Sequence, residues 1–297
     1  MSLTSRRAFL RRVAVGGAIL GSPGLLRAAD LGPAWRPKLA LSSVMFSDLS
    51  LVDLCGQAVK LGFKGIDLWG PFDKCRHLVE ARELGVEGLR KLLDRHGLEI
   101  GAWTTYRTKV HDEGFPGYAE FIGASGGGIV VRESKYGEFA MEQLEVAIRE
   151  FFEELGPEIE LARKHKVRLA IENHSSAILD MPESFEVFTR LNPARDVVGV
   201  GVAPYHLQKR KADVARVIRT CGDQMLFFYA WQLAGGSGQL PGHGPADFTP
   251  WMKALAATGF SGWMTPFMHG DLPPGEMAAA VSKSIDYLRN EATPDSP

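Results

Sequence analysis

From about Lys38 onward, short apolar runs alternate with longer stretches in which apolar residues recur three and four positions apart. The runs read as buried strands and the stretches as amphipathic helices, so the chain is made of strand-helix units rather than hairpins. Eight runs qualify as strands: 38–44 (KLALSSV), 65–69 (GIDLW), 99–105 (EIGAWTT), 127–133 (GGIVVRE), 167–173 (VRLAIEN), 197–203 (VVGVGVA), 225–231 (MLFFYAW) and 262–267 (GWMTPF). Between them lie helical segments such as LVDLCGQAVKLG and VEGLRKLLDRHG, each closed by a glycine, and the long MEQLEVAIREFFEELGPEIELARKHK, which Pro157 is expected to kink or interrupt.

Eight parallel strands, each followed by a helix, over roughly 250 residues predict a single-domain (β/α)8 TIM barrel spanning residues 38–290, with a doubly wound open sheet as the alternative. Residues 30–37 and 291–297 read as a linker and a loose tail. A hydrophobic content of 45% over 297 residues supplies a sizeable core, and a net charge of -1 gives no field for nucleic acid or an anionic membrane surface. The expected partner is a small molecule. Cys55, Cys75 and Cys221 are too scattered for a disulfide framework or a zinc site and read as core or loop thiols, with one bridge left open.

Residues 1–29 follow other rules. SRRAFLRR places paired arginines ahead of a moderately apolar, Gly-containing stretch, the pattern of a twin-arginine export signal with cleavage near Ala28 or Ala29. The apolar run is too short for a stable membrane span. The expectation is a bacterial protein exported by the twin-arginine translocase to the periplasm.

A barrel sorts residues by face, because its chemistry sits at the carboxyl ends of the strands. Of the eight histidines, His96 and His165 fall at helix ends on the opposite face; His77, His111, His174, His206, His243 and His269 fall at or after strand ends. Glu172 ends an otherwise apolar strand, where a partly desolvated carboxylate binds a cation, pairs with a donor or holds a proton to unusually high pH. Asn173 is expected to face the helix layer. Tyr229, Trp231 and Gln232, with His243 and Trp69, offer flat faces and hydrogen-bonding groups suited to a sugar ring. Phe227 and Phe228 read as barrel filling. Asp67, Tyr106, Arg107, Arg132 and Glu133 also lie at strand ends, and Arg132 with Glu133 is equally readable as a structural ion pair.

The GFKGIDLWG unit, the LAIENH strand, the placing of His206 and the late LPGHGPADFTPWMKALAATGFSGW segment resemble the sugar phosphate isomerase/epimerase family of xylose-isomerase-like barrels, from about residue 38 to 290. The resemblance implies a divalent metal held by a Glu, an Asp, a His and a Glu from strands five to eight, with the two Glu residues moving a proton beside a sugar carbonyl. Only the first position is kept, as Glu172. The others fall on Ala203, near Tyr229, and on Pro266 or Phe267, while His206 matches a sugar-contacting histidine.

These readings converge on an exported carbohydrate enzyme, an isomerase, epimerase, lyase or hydratase acting on a free or keto sugar or glycoside. Glu172, His206 and His269 are its catalytic candidates, and Trp69, Arg107, Arg132, His174, Tyr229, Trp231, Gln232 and His243 its substrate contacts. The cofactor stays open between none and a divalent ion in a rearranged site of Glu172, His206 and His269, with His243 or His174 as a further ligand. Export and the lack of a Gly-rich phosphate loop argue against a phosphorylated substrate. A non-catalytic sugar-binding barrel is the alternative.

Overall fold

The computed structural model describes residues 35–107 and 113–291. The export segment, His111 and the tail after 291 lie outside the described residues. In chain order the elements are β1 (Lys38–Ser42), α1 (Leu51–Lys60), β2 (Gly65–Trp69), α2 (His77–His96), β3 (Glu99–Thr104), α3 (Gly114–Ala124), β4 (Gly128–Glu133), α4 (Leu144–His165), β5 (Val167–Glu172) and α5 (Pro182–Leu191). They continue as β6 (Val198–Val202), α6 (Pro204–Lys209), α7 (Val214–Cys221), β7 (Met225–Ala230), α8 (Thr249–Ala257), β8 (Trp263–Pro266) and α9 (Pro274–Asp286). Each strand pairs in parallel with the next and β8 returns to β1, closing a (β/α)8 barrel. All eight expected strands form, each within two residues of its expected ends.

Period-two alternation explains where the core sits. On β5, Leu169 and Ile171 face outward into the apolar layer between sheet and helices, whereas Ala170 belongs to the cluster inside the barrel. On β7, Phe227 and Tyr229 fill the interior, while Phe228 packs in the outer layer, contrary to the expectation that both phenylalanines line the inside. The amino-terminal end of the barrel is plugged by Trp263: a Cβ at Gly65 would stand 2.6 Å from its ring, so glycine is what lets the indole in.

Pro157 does not interrupt α4, which runs through it as one helix of 22 residues. Its buried face, including Phe152, Leu155, Ile159 and Ala162, is held on the core, and that packing outweighs the lost hydrogen bond. The helix that breaks is α2, at Gly85, where φ is 70° and ψ 171°. The three cysteines are all buried and unbridged. No helix among the described residues is long and apolar enough to cross a membrane. His96 ends α2 and donates from Nδ1 to the Leu92 carbonyl (2.9 Å), the helix-terminal role expected of it.

Candidate active site

Glu172 closes β5 in register with Glu133 of β4 and Gly201 of β6. It follows Ala170 by two, so the same alternation turns its carboxyl toward the barrel interior. The next residue sets the geometry of the mouth. Asn173 is fully buried, accepts from the Ala203 amide (2.7 Å) and donates to the Ala203 carbonyl (3.1 Å), so it ties the loop after β5 to the loop after β6 instead of facing the helices. This clamp sets His174 beside His206, their ring centroids 4.5 Å apart. Ser175 then meets Nδ1 of His206 at 3.2 Å, leaving Nε2 as the nitrogen available to a ligand.

These groups open onto a cavity of about 180 Å³ lined also by Trp69, Phe72, Tyr106, Tyr136, Trp231, Phe267 and His269. Glu172 is 3% exposed, and burial drives its pKa well above the ordinary carboxylate value, opposed by a hydrogen bond from the Tyr106 hydroxyl and reinforced by the charges of Asp67 and Glu133. No lysine or arginine is among the groups acting on it. Burial likewise lowers His174 to about 4 and takes His206 lower still, helped there by its neighbours His174 and Lys209, so both imidazoles are neutral.

Deeper in the barrel lies a second carboxyl. Asp67 sits where the β2–β3 register slips by one residue, a bulge that re-aims its side chain. It is fully buried, and accepts from Ser42 (3.0 Å), the Trp69 indole (2.6 Å) and Thr104 (2.6 Å), the last also meeting the Tyr229 hydroxyl at 3.1 Å. Burial outweighs these donors and raises it to about 7.

Glu172, His174 and His206 also satisfy the first requirement of a metal site, since one ligand atom from each lies within 4.8 Å of the other two. Nδ1 of His174 is buried with no hydrogen-bond partner among the described residues, a cost that a bound cation would remove. Two neutral imidazoles and one carboxylate suit zinc and similar divalent ions and leave coordination positions open for water or substrate. The donor set therefore fits such an ion.

A family profile described as the xylose isomerase-like TIM barrel matches residues 55–291. The chain belongs to the xylose isomerase-like TIM barrel family. Among solved structures, it is similar in fold to the 3-keto-D-glucoside 4-epimerase YcjR of E. coli (15% identity, TM-score 0.66, covering 85% of this chain and 99% of that one). It is similar also to a D-psicose 3-epimerase in the presence of D-fructose (14%, 0.67, 86% and 100%) and to the IOLI protein with a bound zinc atom (17%, 0.64, 84% and 97%). No curated protein sequence matches it.

Three residues that the resemblance pointed to lie in packed surroundings. Ala203 and Tyr229 are buried in the inner cluster, and the Phe267 ring stacks on Trp69 with centroids 5.5 Å apart and planes 12° apart. The imidazole that joins Glu172 and His206 is His174, which the sequence offered as a further ligand, rather than His269. His269 stands at another wall of the cavity, its ring 4.9 Å from Trp231, and Gln239 holds its backbone by accepting from its amide (3.2 Å) and donating to its carbonyl (2.9 Å).

The structure brings Glu172, His174, His206, His269, Trp69 and Trp231 to the cavity and takes five other expected contacts away from it. Arg107 and Arg132 both pair with Glu158 of α4, at 3.3 and 2.9 Å, so the Arg132–Glu133 ion pair gives way to a different partner. Gln232 is spent on the Leu240 carbonyl and the Ala246 amide, and His243 donates to the Ala280 carbonyl. Tyr229 lies beneath the cavity, against Thr104. Phe72 and Tyr136 went unrecognised: both sit in loops, where no periodic pattern marks an inward face.

Proposed function

We propose that the protein is a carbohydrate enzyme that moves a proton at a carbon next to a sugar carbonyl, as isomerases, epimerases, lyases and hydratases do. The observation that carries this reading is the Glu172 carboxyl, buried without a cationic partner at the barrel mouth and held by the Tyr106 hydroxyl. A carboxyl so placed holds its proton to higher pH than an ordinary carboxylate and serves as the acid; once it has given the proton up, it is the base, and Tyr106 donates to the ionised form. His206 and His269 face the same space and stabilise the oxyanion that develops on the carbonyl oxygen. Trp69, Trp231 and Phe267 supply flat faces for the C–H side of a pyranose ring.

Family membership and the sugar epimerases among the fold neighbours support this reading. The zinc in another neighbour supports a divalent ion on Glu172, His174 and His206, which when bound would polarise the substrate carbonyl. The same reading takes the twin-arginine segment as a signal that exports the chain to the periplasm, where unphosphorylated sugars are the available substrates.

Proton exchange at sugar carbons in D₂O tests the chemistry: the wild type exchanges and Glu172→Gln falls by about 10²–10⁴-fold. Equal, background-level exchange in both would leave a sugar-binding barrel without catalysis. Elemental analysis tests the ion, expected at one per chain and lost in both His174→Ala and His206→Ala; its retention in those variants overturns the assignment.

A further inference from the structure

The mouth of the barrel does not end at His269. Its ring and that of Phe72, centroids 5.8 Å apart, form a partition, and both residues also line a second cavity on the other side. That outer space holds about 330 Å³, against about 180 Å³ for the inner one. Small-molecule sites run from about 300 to 1,000 Å³. The inner cavity alone falls below that range, and the two joined fall within it. The size of one sugar unit therefore suits the inner space, and a larger substrate has somewhere to go.

The outer cavity is built from three loops, following β1, β2 and β8, and each is fastened to another. Nε2 of His77 donates to the Leu49 carbonyl (2.9 Å) in the loop after β1, while its Nδ1 takes the thiol of Cys75 (3.3 Å) in the loop after β2. The Cys75 amide donates to the Phe72 carbonyl (2.9 Å), closing a tight turn in which Asp73 adopts a left-handed φ of 48°. A non-glycine residue is rarely found there and persists where its surroundings over-determine it. Lys74 then reaches across to Asp271 (3.1 Å) in the loop after β8. The same loop is held from beneath by Gln239, which also takes the Trp231 indole N–H (2.8 Å). The walls are thus preformed, and His77, which contacts no substrate space, has its purpose in tying two of them together.

The lining identifies the occupant. Asp73, Asp271, Lys74 and Ser47 offer acceptors and donors to the hydroxyls of a sugar, beside the ring of Phe72. Two carboxylates to one ammonium repel an anionic group, which argues against a phosphate or a uronic acid. We infer that the outer cavity is a second sugar subsite, so that the substrate is a neutral glycoside or disaccharide whose reacting ring lies over Glu172 and whose second unit lies between the 72–74 turn and the 268–271 loop. This rests on the carbohydrate reading above and adds the substrate class to it.

The test is calorimetric binding to the full-length protein of paired probes that share one ring: cellobiose with methyl β-D-glucoside, maltose with methyl α-D-glucoside, lactose with methyl β-D-galactoside, each also as its 3-keto derivative. In at least one pair the disaccharide binds tenfold or more tighter than the methyl glycoside. Ser47→Trp, which fills the outer space, and the double variant Lys74→Ala/Asp271→Ala, which strips its polar wall, each bring that ratio below three. A ratio under ten in every pair that binds, or one that stays at ten or above in both variants, overturns the second subsite while leaving the inner site standing. Binding of no sugar in the panel overturns the carbohydrate reading and this inference with it.

Discussion

Two buried carboxylates stand at opposite ends of the molecule's electrostatic range. Glu158, on α4, is 9% exposed at its side chain and has two guanidinium groups on one oxygen, Arg132 at 2.9 Å and Arg107 at 3.3 Å. Glu172, on β5, is as deeply buried and has a tyrosine hydroxyl, two neutral imidazoles and aromatic rings. The first carboxylate is neutralised where it sits. The second is left to find a proton, a metal ion or a substrate. Burial with compensation describes a structural pair; burial without it describes a group whose partner comes from outside.

The largest test of that contrast exchanges the two losses. Glu172→Gln is expected to lower turnover about 10²–10⁴-fold with no loss of stability, because a neutral amide of the same shape replaces a carboxyl whose charged form burial disfavours. Glu158→Gln is expected to cost about 3 kcal/mol in urea unfolding, because Arg132 is left buried without its counter-charge. Activity per folded molecule should survive it. If Glu158→Gln removes activity without loss of stability, the two carboxylates have been assigned the wrong way round.

A smaller test separates the clamp from the site it builds. Asn173→Ala removes both hydrogen bonds to Ala203 and leaves a buried amide and carbonyl unsatisfied, expected to cost about 1–3 kcal/mol. It also frees His174 from His206, so any ion held by the triad should be lost at temperatures where circular dichroism still reports a folded barrel. An ion retained at full stoichiometry would mean that His174 is not a ligand.

How much of this could be read from the chain depends on which interaction decides each feature. Period-two and period-3.6 patterns are local, so the eight strands and the inward turn of Glu172 were legible. The fates of Arg107, Arg132, Gln232 and His243 were not, because each was settled by a partner distant in sequence: Glu158, the Ala246 amide or the Ala280 carbonyl. A polar residue at a strand end signals position, and only the neighbour decides whether it is spent on structure. Asn173 is the instructive case, since its side chain is consumed by backbone groups 30 residues away and yet sets the one histidine pair that the cavity uses. The stretch ENH carried the signal; what it lacked was the Ala203 end of the clamp.

The finest distinction concerns Asp67, which shares with Glu172 the lack of a cation but has three donors aimed at it. Its folded pKa is raised to about 7 from an ordinary value of 3.8. Between those values the folded chain holds a proton that the unfolded chain has released, so the Asp67 contribution to stability is present at low pH and is lost as pH rises, by up to ~1.4 kcal/mol per pH unit. Asn has no proton to lose. The stability of wild type minus that of Asp67→Asn, from urea unfolding at intervals from pH 4.5 to 7.5, should therefore decline steadily. His174, lowered to about 4, acts in the opposite sense, adding stability as pH rises toward 6.5, but it is present in both chains and cancels in the difference. A flat difference would mean that the donors from Ser42, Trp69 and Thr104 keep Asp67 ionised in the folded protein, unlike Glu172.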